Sequence, residues 1–499
     1  MKQKKNDQSK NASSIARPPI VTLMGHVNHG KTSLLDKIRH SQLQLKEDGG
    51  ITQHTDAYQI SYQNKKITFI DTPGHKLFKQ MRARGAKITD LVVLVIAADE
   101  GIMAQTKECL KHIQEANVPY LIALNKIDLA SAKPEEVKNK LTQFGVVTEE
   151  RGGQVVLVPV SAKTGEGIKN LLEMILLMAA MADLSTPKNA SLEAFVVEAG
   201  IDKRCGPIAT VIVKNGFLTK GQDLVCQGQR FKVRALFDDR HQAIDNAVAS
   251  QPVLLLGFDR LPQTGDLIFS AQEDKGGREV KEKTAALKDG IGDNDKETYL
   301  RLIIKTDTQG TKEAIINSLS DREDLMIVAA ATGDINDADI FLASSSQAEI
   351  MGFHVGANRE VMDLANREGV VINIFEIVYK LIEMVEEKIA TEKEKRQEEA
   401  ILGKAEIVAD FTVPVGRVAG AKTITGAIEQ GAEVTILRND KELSKTKIVS
   451  LRHKNNTIRK AETGREFGAL FFPMVDFAIG DMIIYEQPED IKKKEEKGL

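Results

Sequence analysis

The chain has 499 residues, too many for a single hydrophobic core, so several domains are expected. Its composition is 42% hydrophobic and 28% charged, as in globular proteins, and no apolar run approaches the ~20 residues that span a bilayer. The net charge of −3 excludes a globally basic nucleic-acid binder, so any RNA contact must come from local patches.

Residues 1–17 are polar and aperiodic and are expected to form a disordered tail, either a plain solvated terminus or a weak basic arm. No apolar stretch follows Met1-Lys2-Gln3-Lys4-Lys5, so a secretory signal is not expected. From 18 to 183 apolar strands alternate with helices, and Ile20–Met24, Ile67–Ile70, Leu91–Ile96, Tyr120–Leu124 and Val155–Val160 are nearly continuous apolar runs. Such runs suit parallel strands covered on both faces. Ligand motifs sit where these runs end, the place where open α/β sheets bind ligands.

Gly25-His26-Val27-Asn28-His29-Gly30-Lys31-Thr32 fits G-x-x-x-x-G-K-[ST]. Asp71-Thr72-Pro73-Gly74-His75, Asn125-Lys126-Ile127-Asp128 and Ser161-Ala162-Lys163 follow in order. Together they imply a P-loop domain binding GTP or GDP with Mg²⁺. The Gly25–Gly30 loop would aim N–H groups at the phosphates, with the next helix start favouring the anion. Lys31 would reach the β/γ phosphates and the Thr32 hydroxyl the metal, with Asp71 holding the same ion through water. Gly74 would offer its N–H to the γ-phosphate. Asp128 can accept from guanine N1–H and N2–H₂, which adenine does not offer. Asn125 and Lys126 would brace the base and loops, and the Ala162 N–H would meet guanine O6. His75 is placed to orient the attacking water, the alternative being a surface histidine of a mobile loop. Thr52, in a Gly-rich stretch, could bring a hydroxyl to Mg²⁺ in the GTP state. His26, His29 and His75 have no third ligand nearby and are read as phosphate-loop residues, not a metal cluster.

Two later regions repeat each other. Gly206, Ile208, Ala209, Gly216, Leu218, Gly221 and Leu224 recur at one offset as Gly416, Val418, Ala419, Gly426, Ile428, Gly431 and Val434. Both regions end in Gly-Asp and an apolar pair, Gly265–Ile268 and Gly480–Ile483. Two related β-barrels are expected, over 190–271 and 401–490. Between them lie a charged linker (272–295), an α/β domain (296–375) and a connecting helix (376–400). In the α/β domain, 299–305, 339–343, 349–353 and 370–374 read as strands and 311–319 as a helix. The helix carries Ile377, Leu381, Val385 and Ile389 at helical spacing, but its second half is polar all round, as in a solvent bridge or a frayed linker. Residues 491–499 form a charged tail. The three cysteines, Cys109, Cys205 and Cys226, form no C-x-x-C pair, which points to a reducing cytoplasm.

Gly25–Thr32, Gly49-Gly50-Ile51-Thr52-Gln53-His54 and Asp71–His75 resemble the translational GTPases. Asp238-Asp239-Arg240 after Phe231–Phe237, Ile303–Gly310, Leu342-Ala343-Ser344 and Leu402–Glu406 are similar to the bacterial translation initiation factor two family. The resemblance covers about Arg17 to Pro488, without that family's long N-terminal extension. It implies a multidomain α/β and β protein: a P-loop GTPase domain, two translation-type β-barrels, one α/β domain and a long connecting helix. It implies a GTPase stimulated by the ribosome, with ribosomal subunits, ribosomal RNA and formylmethionyl initiator tRNA as partners. A monomer without membrane attachment is expected. Thr52 and His75 match the family's switch threonine and catalytic histidine.

The chain departs from the family in three places. Asn28 stands where the phosphate loop usually has Asp, keeping an oxygen for a monovalent cation such as K⁺. Thr55-Asp56 replaces Ile-Gly. Glu466-Phe467-Gly468 replaces Glu-Cys-Gly, so Phe467 is expected to reshape the formylmethionyl pocket. Beside it, Arg438, Lys441, Lys445, Lys447, Arg452, Lys454, Arg459, Lys460 and Arg465 outnumber Asp440, Glu442 and Glu462. This is either a face for RNA phosphates or a solvated barrel surface. Arg452, Lys454, Arg465, Glu466, Phe467 and Gly468 are the candidate tRNA contacts. An elongation or tRNA-delivery GTPase, or a nucleotide-gated platform without hydrolysis, are the competing functions.

Overall fold

The computed structural model describes residues 14–39, 54–73, 88–187, 190–271, 300–320, 322, 324–399, 401–413, 416–439, 441–454 and 456–486. The chain divides into two compact units, Met1–Val385 and Glu386–Leu499. The linker over 272–295, the tail over 491–499 and residues 1–13 lie outside the described residues, as do Thr52, Gly74 and His75.

The first unit opens with a sheet of six strands: β1 (Ile20–Gly25), β2 (Asp56–Tyr62), β3 (Lys65–Asp71), β4 (Leu91–Ala97), β5 (Tyr120–Asn125) and β6 (Leu157–Pro159). Their order is β2-β3-β1-β4-β5-β6, with β2 antiparallel to β3 and the other pairs parallel. Alternate residues of the central strands face opposite sides. Val21, Leu23, Val93 and Val95 pack with helices α1 (Lys31–Arg39) and α4 (Ile168–Met181). Met24, Val92, Leu94 and Ile96 pack with α2 (Ala104–Ala116) and α3 (Pro134–Gln143). Burial on both faces is why these strands read as unbroken apolar runs.

The expected disordered tail ends earlier than the composition suggests. Ser14–Ala16 pairs antiparallel with Ser185–Pro187. Arg17 then meets Asp90 in a buried bidentate ion pair, with Nη2 to Oδ1 at 2.6 Å. Backbone pairing and a charge match override a polar composition here.

The first barrel comprises β7 (Glu193–Asp202), β8 (Gly206–Asn215), β9 (Asp223–Cys226), β10 (Gln229–Lys232), β11 (Ala235–Phe237), β12 (Ala243–Ile244), β13 (Pro252–Leu256) and β14 (Leu267–Ser270). They pair in the order β10-β9-β14-β7-β8-β13-β11-β12. Ser250 ties the barrel to the GTPase sheet: its hydroxyl donates to Pro18 O at 2.6 Å, and its carbonyl accepts from Thr68.

The α/β domain has four parallel strands, β15 (Leu300–Thr306), β16 (Leu325–Thr332), β17 (Glu349–Phe353) and β18 (Ile372–Phe375), in the order β16-β15-β17-β18. Helices α5 (Gln309–Leu319), α6 (Asp337–Ser346) and α7 (Arg359–Glu368) connect them. The expected strand at 339–343 is instead part of α6. Asn336 caps this helix by accepting from Ala338 N at 3.0 Å and Asp339 N at 3.2 Å, and Asp339 accepts in return from Asn336 N at 3.0 Å. Ile340 and Ala343 are buried while Phe341 and Leu342 are exposed, a helical division of an apolar run. Asp339 also pairs with buried Lys305 at 2.8 Å. Strand β16 and helix α7 were not anticipated.

Helix α8 (Val378–Glu399) has 22 residues, about 33 Å by helical rise. In the second unit, β19 (Ile401–Val413), β20 (Gly416–Glu429), β21 (Glu433–Arg438), β22 (Lys441–His453), β23 (Lys460–Glu462), β24 (Glu466–Phe472) and β25 (Met482–Glu486) follow the order β19-β25-β21-β22-β24-β20-β23. Strands β19 and β20 also pair, which closes a ring. No helix among the described residues is long and apolar enough to cross a membrane.

Candidate functional site

Strand β1 runs into the phosphate loop at Gly25, beside β4. A Cβ on Gly25 would fall 2.4 Å from Val95 O, and one on Gly30 (φ +79°) would fall 2.5 Å from Asn125 Nδ2. Neither position has room for a side chain, so the loop can lie against β4 and β5 only with glycine there. Val27–His29 form a 3₁₀ turn and α1 starts at Lys31. Lys31 is 3% exposed, and its Nζ folds back to donate to His26 O at 2.8 Å. Val27 N donates to Gln105 Oε1 at 3.2 Å. Asn28 is exposed on the turn.

His29 is fully buried, with Nδ1 3.2 Å from Val95 O. A carbonyl only accepts, so Nδ1 carries the proton. Burial pushes its pKa down to about 4, so the ring is neutral at physiological pH. It acts as a wedge beneath the loop and adds no charge to the phosphate side.

Asn125, at the end of β5, joins two loops. Its Nδ2 donates to His29 O at 2.9 Å, and its Oδ1 accepts from Ala162 N at 3.0 Å. The Ala162 N–H, expected on guanine O6, is thus engaged by Asn125 in this structure. Lys126 has φ +64° and reaches Glu100 at 2.9 Å. Asp128 is exposed and accepts from the buried Ser161 hydroxyl at 2.7 Å, a bond that holds its carboxyl below the usual range. Ser161 Oγ in turn accepts from Thr164 N at 3.1 Å, while Lys163 is exposed.

Asp71 ends β3 opposite Asp56 and is buried. Thr72 donates to Leu23 O at 2.9 Å and pins that strand end to β1. Thr32 is half-buried at the start of α1. A hydroxyl and a carboxylate are hard oxygen donors of the kind Mg²⁺ takes, and the side-chain-free cradle at Gly25 and Gly30 admits a phosphate chain. The described residues therefore fit a nucleotide with its magnesium ion.

The last barrel sorts the other candidates by strand parity. Arg452 on β22 stands opposite Gly468 on β24, and Glu466 stands opposite Lys422. Lys454 and Arg465 are exposed nearby in sequence. Gly468 also faces Gly420 across the β20–β24 pair, and Phe411, which is 55% exposed, lies over Gly420. Phe467 points the other way and is 4% exposed within the barrel core. That corrects the expectation of a surface contact: strand alternation sends Glu466 and Gly468 outward and Phe467 inward. Two of the expected cations are committed elsewhere. Arg438 holds Asp481 with two bonds of 2.9 Å, and Lys460 pairs with Glu429 at 3.3 Å.

A cavity of about 510 Å³ in the first barrel was not anticipated. Arg230, Lys232 and Arg234 line it with Asp223, Gly257 and Asp259. Its signal was the alternation Arg-Phe-Lys-Val-Arg, which places three cations on one side of an extended strand.

The family model "Elongation factor Tu GTP binding domain" matches residues 17–181. "Elongation factor G domain 2" matches 191–271, and "Translation-initiation factor 2" matches 273–386. Among curated proteins the chain is similar to Translation initiation factor IF-2 of Thermoanaerobacter sp. (strain X514), at 41% identity over 96% of this chain and 72% of that protein. The same-named protein of Caldanaerobacter subterraneus subsp. tengcongensis is 42% identical over 96% of this chain and 70% of its own length. That of Thermotoga sp. (strain RQ2) is 39% identical over 96% and 73%.

Proposed function

Because the chain belongs to the translation initiation factor 2 family and is a GTPase of translation initiation, we propose that its GTP form binds the ribosome, recruits formylmethionyl initiator tRNA through the last barrel, promotes subunit joining and then hydrolyses GTP under ribosomal stimulation. The work takes place in the cytoplasm.

The observation that most supports the nucleotide assignment is the Asn125 bridge, which holds the phosphate loop and the Ser161-Ala162-Lys163 loop in one arrangement. Gly25, His26, Val27, Asn28, His29 and Gly30 wrap the phosphates, and Lys31 leaves His26 O to meet them. Thr32 and Asp71 would hold magnesium, joined by Thr52, with Asp71 acting through water. Bound there, the ion neutralises charge at the phosphate oxygens. Asp128 selects guanine, with Asn125, Lys126, Ser161, Ala162 and Lys163 framing the base. Ala162 N–H exchanges Asn125 for guanine O6 when the base arrives. Gly74 offers its N–H to the γ-phosphate and His75 orients the attacking water. Asn28 offers an oxygen to K⁺, so hydrolysis should be faster in potassium than in sodium; equal rates would remove the cation from the scheme.

For the tRNA, Arg452, Lys454 and Arg465 supply phosphate contacts. Glu466 and Gly468 face outward beside Gly420, over which Phe411 lies, and Phe467 supports this strand from inside the core. The Arg230, Lys232 and Arg234 cavity supports ribosomal RNA as a second polyanionic partner.

The deciding experiment is GTP hydrolysis by the full chain with and without ribosomes. Stimulation of about 100-fold or more is expected, and His75→Ala should abolish most of it. A wild-type rate indifferent to ribosomes would favour the platform reading.

A further inference from the structure

Strands β4 and β5 end side by side, with Ala97 paired to Asn125. Ala98 N then donates to Asn125 O at 2.8 Å, so the turns that follow the two strands leave from one anchored point. After β5 comes Lys126, with φ +64°. After β4 comes Asp99-Glu100-Gly101, a turn that Gly101 N closes by donating to Ala97 O at 2.9 Å.

The Lys126 side chain crosses from one turn to the other. Its Nζ donates to Glu100 Oε1 at 2.9 Å and lies 3.7 Å from Asp99 Oδ2, beyond hydrogen-bond reach. The second oxygen of Glu100, Oε2, lies 3.8 Å from Nε2 of His29, the buried wedge beneath the phosphate loop. Glu100 therefore stands between a residue of the phosphate loop and a residue of the base loop.

The left-handed backbone at Lys126 strains any residue that has a Cβ, and such strain persists where the side chain is needed. This side chain is only 25% exposed. A lysine stem lies along apolar surface while its ammonium seeks polar partners, and the flat face of a purine is such a surface. Asp128 takes the polar edge of guanine in the function proposed above, which leaves the ring face to the Lys126 stem. A free lysine loses rotamer entropy when a ligand settles on it, whereas an anchored one has lost it beforehand.

We propose that Glu100 is a positioning residue for the nucleotide: it anchors the Lys126 ammonium and so sets the stem as a shelf for guanine before the base arrives. Glu100 acts through Lys126. The base is common to GTP and GDP and remote from the bond that breaks, so the anchor strengthens both complexes alike and leaves the chemical step unchanged. The proposal rests on the guanine-nucleotide reading of this site.

The test uses the full chain, a fluorescent GDP analogue, and a non-hydrolysable GTP analogue as its competitor. Glu100→Ala should weaken both nucleotides about fivefold, while kcat at saturating GTP with ribosomes stays within about twofold. Glu100→Gln keeps an acceptor for Nζ and should recover part of the loss. In a chain already carrying Lys126→Ala, Glu100→Ala should change affinity by less than about 1.5-fold, because its route to the base is gone. An affinity of Glu100→Ala within about 1.5-fold of wild type overturns the proposal. So does the same loss in the Lys126→Ala background, a loss confined to one of the two nucleotides, or a fall in kcat that matches the fall in affinity. A wild-type chain that binds no guanine nucleotide refutes the reading of the site instead, which keeps the two failures apart.

Discussion

Glu198 of the first barrel is buried against the start of α5, whereas Ala409, at the same place in the repeat, carries no carboxyl and is half-buried on the last barrel. Asp239, which holds Gln59 and Arg39, corresponds to exposed Lys454, since Gly221 N bonds Val233 O in one barrel as Gly431 N bonds Ile448 O in the other. Inside, the two barrels agree: Ala209 and Ala419, Val211 and Ala421, Leu218 and Ile428, Leu224 and Val434 are all buried. The glycines agree too. Gly216 and Gly426 have φ +71° and +65°, and Gly221 and Gly431 have φ +82° and +88°. One interior and one set of turns thus carry two different outer surfaces. The first barrel uses its surface to hold neighbours within its own unit, and the last leaves Arg452, Lys454 and Arg465 exposed.

The largest expected effect tests the shared framework. A Cβ on Gly426 would meet Leu402 O at 2.1 Å and one on Gly216 would meet Ala190 O at 2.8 Å, whereas Gly221 and Gly431 face open space. Gly426→Ala should lose about 3 kcal/mol or more, because backbone must move as well as strain, while Gly431→Ala should lose about 1 kcal/mol. Denaturant unfolding of the two variants measures the difference, and equal losses would mean that the close approach of Gly426 to Leu402 O does not set the cost.

Next comes Glu198, a buried carboxyl whose place in the last barrel is taken by Ala409. Burial raises Glu198 to about 7, with His54 pulling down and Asp307 pushing up more weakly. A carboxyl raised in the folded state stabilises fully below its unfolded pKa. That contribution is lost as pH climbs from about 4.5 through 7, by at most about 3 kcal/mol. Glu198→Gln, which cannot ionise, should therefore raise Tm relative to wild type at pH 8 and leave it almost unchanged at pH 5. Val408→Glu, at an exposed position of the matching strand in the last barrel, should shift stability by under about 0.5 kcal/mol at either pH.

The smallest effects separate the surfaces. Arg452→Ala and Lys454→Ala should each weaken initiator-tRNA binding by about 1 kcal/mol and lower its salt slope by about one, while leaving GTP affinity intact. Lys232→Ala should instead weaken ribosome binding by a similar amount and leave tRNA binding unchanged. Loss of the same partner from both barrels would erase the division of labour.

Much of this was legible in the chain. Gly25, Gly30, Lys31 and Thr32 follow an apolar strand and open a helix, which is the one arrangement their chemistry needs. The matched glycines gave away the repeat because turns with positive φ tolerate few other residues. Errors arose where a local pattern had two readings. Ile340-Phe341-Leu342-Ala343 reads as a strand until Asn336 and Asp339 are recognised as a capping pair. The inward side chain of Phe467 followed from strand alternation, but the motif comparison drew attention to its size and not its parity. Ser14–Ala16 and Glu198 could not be placed from sequence, since their partners, Ser185–Pro187 and Gly310, are remote along the chain.

The most direct measurement is the affinity of the full chain, loaded with a non-hydrolysable GTP analogue, for formylated and unformylated initiator tRNA. The account predicts clearly tighter binding of the formylated form, reduced by Arg452→Ala and untouched by Lys232→Ala. Equal binding of the two tRNAs, or none, would contradict the assignment of the last barrel as the initiator-tRNA surface.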